Sequence, residues 1–246
     1  MGSEPVRRGN DVPEAVVAAM FDDIAPVYDR LNTVLTLGAD GGWRRAAVRA
    51  TGLRSGDSAI DVACGTGKLA LSLADRVGPF GNVLAVDLAP RMIELAMAEY
   101  ADLVQLEFRV ANALALPVED ATFHAATIAF GLRNLSDFEA GFRELRRVVR
   151  PGGRVVCLEL SRPRPDWWGR LYLAAFRRAA PLAGTAARRA AAYRYLPASL
   201  DGFPDAESLA ATMRAAGFVD VGFRRLGLGG VAIHVGSVPE GSERAP

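Results

Sequence analysis

The chain has 246 residues, half of them hydrophobic, with 29 basic against 28 acidic side chains and a formal net charge of +1. That length supports one large core, or a core with a small lid, and the near-zero charge gives no case for nucleic acid as a partner. Cys64 and Cys157 are too few for a disulfide framework and lack metal-ligand spacing, the N-terminus lacks the apolar stretch of a signal peptide, and no run is long enough to span a membrane. The expectation is a soluble, cytoplasmic protein that holds no metal.

Residues 1–12 read as a frayed, polar leader. From Pro13 to Ala25 apolar residues recur at helical spacing (Val16, Val17, Met20, Phe21, Ile24), with Pro13 suited to a first turn. Pro26 interrupts, and Val27 to Asn32 resumes as a second short helix. Gly38, Gly41 and Gly42 read as a loop before a basic helix from Trp43 to Thr51.

Strands and helices alternate from there. An apolar approach (Ala59, Ile60, Val62) predicts a buried strand, and Lys68 to Val77 a helix. Val83 to Val86 is a second strand ending in Asp87, followed by a helix over Pro90 to Tyr100. Leu106 to Val110 is a third strand that ends at Asn112 and Ala113, and Phe123 to Phe130 a fourth that runs into Gly131-Leu132-Arg133-Asn134-Leu135. Ser136 is the expected cap of a helix running to Val149 and stopped by Pro151-Gly152-Gly153. Val155 to Leu160 is a fifth strand. Residues 162–200 form an insertion in which Trp167, Trp168, Tyr172 and Phe176 interleave with Arg170, Arg177 and Arg178, either a lid with a solvated arginine face or a surface that meets a membrane. A helix over 205–216 and a glycine-rich hairpin, Val219 to Leu228 then Val231 to Val238, close the chain.

The stretch with most chemical content is Asp61-Val62-Ala63-Cys64-Gly65-Thr66-Gly67-Lys68. Gly65 and Gly67 permit a tight turn between strand and helix and a close approach of backbone to ligand. Asp87, about twenty residues beyond, is placed to grip a ribose diol. Asp61 argues against a dinucleotide, whose pyrophosphate it would repel. S-adenosylmethionine (SAM) suits the place better: its ammonium and sulfonium are drawn to an aspartate, and its carboxylate is expected at the helix N-terminus. Asp61, Asp87, Asn112, Arg133, Asn134 and Glu159 all fall at strand carboxyl ends, where ligands bind in doubly wound sheets. A terminal hairpin after five alternating units predicts an α/β fold of the class I SAM-dependent methyltransferase type, with a Rossmann-like seven-stranded sheet whose last strand is antiparallel. The chain is then one domain over 1–246: N-terminal helical cap 12–55, SAM-binding core 56–161, helical lid 162–200, and terminal helix and hairpin 201–238.

From about residue 20 to 236 the chain resembles the ubiquinone/menaquinone biosynthesis C-methyltransferase family. The matching stretches are FDDIAPVYDRLNTVLTLG with WRR, DVACGTGKLA, FGLRN, RPGGRVVCLELSRP, YRYLPASLDGFPDAESLAATMRAAGF and GGVAIHVG. The resemblance implies C-methylation of a polyprenylated quinol, demethylmenaquinol or a methoxy-polyprenyl benzoquinol, with SAM contacts at Thr66, Asp87, Asn112 and Ala113. It also implies a catalytic centre at Arg133 and Asn134. Ala129 stands where many members have serine. Arginine stays protonated, so Arg133 is suited to stabilising a developing phenolate, with Asn134 holding the quinol oxygen or a water. Tyr28 with Asp29 ranks ahead of His234 as proton acceptor, because a lone histidine on the strand 232–235 reads as a hydrogen-bonded core residue. A peripheral membrane contact through the lid and a homodimer are left open by the sequence.

Overall fold

The computed structural model describes residues 9–36, 38–162, 199 and 203–240. The lid over 162–200, with Trp167, Trp168 and Phe176, therefore lies almost wholly outside the described residues. Three helices lead into the sheet: α1 (Glu14–Ile24), α2 (Tyr28–Leu35) after a single 3₁₀ turn at Ala25–Val27, and α3 (Ala39–Thr51). Then come β1 (Ser58–Val62), α4 (Lys68–Val77), β2 (Asn82–Asp87), α5 (Pro90–Glu99), β3 (Leu106–Val110) and β4 (Phe123–Ala129). The chain continues through α6 (Phe138–Val148), β5 (Val149–Leu160), α7 (Ala206–Ala215), β6 (Val219–Leu226) and β7 (Val231–Ser237).

The seven strands form one sheet in the order β3-β2-β1-β4-β5-β7-β6. β1 to β5 run parallel, and β7 is antiparallel to both its neighbours. This is the class I methyltransferase architecture. Strand order reverses between β1 and β4, and it is there that the carboxyl ends of the strands splay to leave a crevice.

Alternation along the strands sorts the core into two layers. Ile60, Val62, Val86 and Ile128 face α6 and α7, where Phe142, Leu145 and Met213 are fully buried. Ala59, Ala85, Ala125 and Val156 face the opposite way, onto Ala47 of α3 and Leu69, Leu73 and Val77 of α4. Central strands covered on both faces read as near-continuous apolar runs, as they do here.

Four local expectations are corrected. Residues 9–12 are anchored, not frayed: the Asn10 backbone N–H donates to the Leu135 carbonyl at 2.7 Å, and a Cβ on Gly9 would collide with the Ser136 carbonyl. Gly41 and Gly42 lie inside α3, since the burial of Ala46, Ala47 and Val48 outweighs the roughly 1 kcal/mol per residue that glycine costs a helix. Asp137, not Ser136, caps α6, accepting from the Ala140 N–H at 2.8 Å. Finally, α6 stops at Val148, and β5 begins at Val149 and passes through Pro151-Gly152-Gly153 rather than starting after them.

Candidate active site

The loops after β1, β2, β3 and β4 surround an open cleft of the kind in which small molecules bind at the switch point of such sheets. One wall is sheet and the other is α1 and α2. Ala63, Asp87, Asn112, Phe130 and Asn134 come from strand ends, while Glu14, Phe21 and Tyr28 come from the N-terminal helices.

The turn after β1 is built by backbone conformation. Ala63 (φ 55°), Gly65 (φ 56°) and Gly67 (φ 82°) are all left-handed. Gly67 also has no room for a side chain, because a Cβ would sit 2.9 Å from the Phe108 ring. Phe130, at the end of β4, is left-handed too (φ 55°), and the next residue, Gly131, would bring a Cβ to 2.4 Å from that of Ala63. Two non-glycine residues in a sparsely populated region, on facing strand ends, mark a site held open by its surroundings.

Each acid then has a distinct setting. Asp61 is 1 % exposed; its Oδ1 accepts from Thr127 Oγ1 at 2.6 Å, while Oδ2 has no hydrogen-bond partner. Burial pushes its pKa up to about 7, against the pull of the Thr127 hydrogen bond and of Arg44. Asp87 accepts the Gly65 N–H at 2.8 Å and the Ala89 N–H at 2.9 Å, so its carboxylate fixes the glycine turn while facing the cleft; burial raises its pKa as well. Asn112 is held on both sides: its Nδ2 donates to Glu14 at 2.8 Å, and its Oδ1 accepts the Leu114 N–H. Ala113 is buried beside it.

A buried, unpartnered carboxylate oxygen is a fit for an ammonium-bearing ligand and a misfit for a pyrophosphate. The acids and the glycine turn present here therefore suit SAM and not a dinucleotide.

The four expected catalytic residues do not converge on one point. Tyr28 and Asn134 line the cleft. Tyr28 packs edge-on against Phe21 at 5.9 Å, and burial raises its pKa although Arg133 and Arg44 both pull it down. Asp29 points elsewhere. Its Oδ1 accepts from Thr66 Oγ1 at 2.8 Å and its Oδ2 lies 3.6 Å from Lys68 Nζ, so it clasps α2 to the glycine turn. Arg133 is 5 % exposed and stands behind the cleft wall. Its Nη1 donates to Glu159 Oε1 at 2.7 Å and to the Phe130 carbonyl, and its backbone N–H donates to Glu159 Oε2 at 3.2 Å. His234 is a core residue, with Nε2 2.9 Å from the Ala206 carbonyl.

Sequence reasoning missed Glu14 altogether. It joins Asn112 to Ser136, whose hydroxyl donates to it at 2.7 Å, and so pins α1 across two loops. Nothing in the local sequence signals a partner 98 residues away. Among the described residues no group of three or more His, Cys, Asp or Glu is arranged to hold a metal, and no helix is long and apolar enough to cross a membrane.

The fold is shared widely. The [4+2]-cyclase SpnF superposes with a TM-score of 0.70 at 20% identity, over 98% of this chain and all of that one. A possible histamine N-methyltransferase from Thermotoga maritima gives 0.63 at 18% identity, over 89% and 98% of the two chains. Sequence relatives are more telling. The demethylmenaquinone methyltransferase of Thermus thermophilus is 45% identical over 222 residues, 89% of this chain and the whole of its own. The Deinococcus radiodurans protein of the same name is 42% identical, over 87% of this chain and 89% of its own. The ubiquinone/menaquinone biosynthesis C-methyltransferase UbiE of Geobacter sulfurreducens is 40% identical, over 88% of this chain and 86% of its own. The model of the ubiE/COQ5 methyltransferase family matches residues 10–238, and the chain belongs to that family of SAM-dependent methyltransferases.

Proposed function

We propose that this enzyme C-methylates the ring of a polyprenylated naphthoquinol, converting demethylmenaquinol to menaquinol. The observation that carries the reading is a pair of adjoining recesses that share Tyr28, Ala63, Gly65, Ala129 and Phe130: one is lined by Asp61, whose Oδ2 has no hydrogen-bond partner, and the other by Asp87, Asn112 and Asn134. The names of the relatives at 40% to 45% identity favour the naphthoquinol over the benzoquinol.

Bound at the glycine turn, SAM supplies an electrophilic methyl group. The chain must make an aromatic carbon nucleophilic, which a quinol achieves when charge builds on an adjacent ring oxygen. Tyr28 and Asn134 reach the cleft and take the role of holding that oxygen. Arg133 acts from behind: burial pushes the Tyr28 phenol's pKa up, and the guanidinium pulls against that push, so its field favours negative charge on an oxygen bonded there. Glu159, 0 % exposed, fixes Arg133 at two points, its guanidinium through Oε1 and its backbone N–H through Oε2. Asp29, already shared between Thr66 and Lys68, serves the turn and not the proton. The arginine-interleaved aromatic composition of residues 162–200 supports a lid that shelters the prenyl tail at a membrane surface.

Incubation with methyl-labelled SAM and a panel of demethylmenaquinol, a methoxy-polyprenyl benzoquinol and simple phenols tests this. Label on a naphthoquinol ring carbon is expected. Transfer to a phenolic oxygen, or turnover only of the simple phenols, would refute it.

A further inference from the structure

Beside the main cleft lies a second, smaller recess lined by Asp29, Arg44, Asp61, Thr66 and Lys68, and the two share Tyr28, Ala63, Gly65, Ala129 and Phe130 as a common wall. Its four charges are two acids and two bases, and half of them are already committed. Lys68 bonds Glu99 at 3.0 Å and lies 3.6 Å from Asp29, which also takes the Thr66 hydroxyl. The other two are Asp61, with Oδ2 unpartnered, and Arg44, whose partner Asp40 lies outside the recess lining.

Arg44, from α3, makes a single hydrogen bond among the described residues, Nη1 to Asp40 Oδ2 at 2.6 Å. A guanidinium carries five N–H donors, and Arg44, its side chain only 15% exposed, lines the recess with most of them unused among the described residues. Asp40 holds it there: its own pKa is lowered by Arg44, and Thr36 Oγ1 donates to it at 3.2 Å. Arg44 stands close enough to Asp61 to favour its charge, yet the two form no hydrogen bond. A buried carboxylate oxygen and an under-used guanidinium facing one recess without touching are matched by a ligand that bears both an ammonium and a carboxylate.

We infer that Arg44 is the receptor for the carboxylate at the amino-acid end of SAM, with Asp61 taking the ammonium; this rests on the cofactor reading above. A carboxylate at the α4 N-terminus, where the sequence placed it, would meet the like charge of Asp61, which lines the same recess as Gly65, Thr66 and Lys68. Arg44 offers the opposite sign, and a planar fork that a carboxylate accepts bidentately.

The test compares two probes by titration calorimetry: S-adenosylhomocysteine, which keeps the amino-acid end, and 5′-methylthioadenosine, which lacks it. Arg44→Met should weaken S-adenosylhomocysteine about 10- to 100-fold, and Arg44→Lys by less. Binding of 5′-methylthioadenosine should be unchanged within about twofold in both variants. Equal losses for the two probes would mean that Arg44 only supports the fold, and unchanged S-adenosylhomocysteine binding would mean that it touches no carboxylate; either overturns the inference and leaves the cofactor reading standing. Failure of both probes to bind the wild-type chain would overturn the cofactor reading and this inference with it.

Discussion

Replacing Asp61 with asparagine should make the free protein less sensitive to alkali while weakening its hold on the cofactor. The carboxyl titrates at about 7 when folded, against an ordinary value of 3.8, because burial disfavours its charge. The sign follows from linkage: the unfolded chain releases this proton first, so the group's contribution is most favourable below about pH 4 and is lost as pH rises toward 7. From pH 5 to pH 8 the wild type should lose about 2–3 kcal/mol through this group alone, more than half of what it loses over the whole range. The substituted amide has no such proton. It keeps an acceptor for Thr127 but turns an NH₂ group toward the place of Oδ2, a pH-independent penalty of about 1–3 kcal/mol. The slope and not the offset is therefore diagnostic. Urea unfolding of both proteins at pH 5, 6.5 and 8 without cofactor should give curves whose separation changes by about 2–3 kcal/mol in the variant's favour as pH rises. Parallel loss in the two proteins would refute the claim that Asp61 is a strained, ligand-awaiting carboxylate.

Gly131→Ala should cost about 1–3 kcal/mol, because its Cβ would lie 2.4 Å from that of Ala63 and the two site loops must part. Gly42→Ala, with nothing within 4 Å inside α3, should raise stability by about 0.5–1 kcal/mol; thermal midpoints moving in opposite directions check the pair. Glu159→Ala should lose about 3–5 kcal/mol by leaving the Arg133 charge buried and unpaired, and the double change Glu159→Leu with Arg133→Met should recover most of it while abolishing turnover. Denaturant titration separates these outcomes from a purely catalytic defect.

The sheet was legible because its determinants are local. Apolar runs of strand length alternate with helix-period segments, and the glycine turn after β1 announces itself within a few residues. Asp61 and Asp87 could be placed for the same reason, as each ends a recognisable strand. What stayed hidden was the choice among partners. Ser136 and Asp137 are both competent helix caps, and the outcome turned on Glu14, which draws the serine hydroxyl away from the helix. Arg133 read as a free cation at a strand end, but Glu159, on the neighbouring strand, claims it. Asp29 read as a base until Thr66 and Lys68 were seen around it. Propensity misjudged Gly41 and Gly42 because it cannot weigh the burial of the residues just beyond them.

The N-terminal helices repay the difficulty, because they complete the site that the sheet only begins. Three of their carboxylates each reach a different strand-end loop. Glu14 bonds the loops after β3 and β4, Asp22 accepts the Arg91 N–H at the start of α5 after β2, and Asp29 grips the turn after β1. A small separate cluster, Ala25, Ala89 and Met92 with Phe21 and Tyr28 against it, supplies the apolar contact beneath them. Every loop that surrounds the cofactor cleft is thus tied to one cap, and the ties are mostly carboxylates accepting from backbone or hydroxyl donors, individually worth about 0.5–3 kcal/mol. Tyr28 rides on that cap, so a side chain that lines both recesses is brought to the sheet by the same contacts that tie the strand-end loops together.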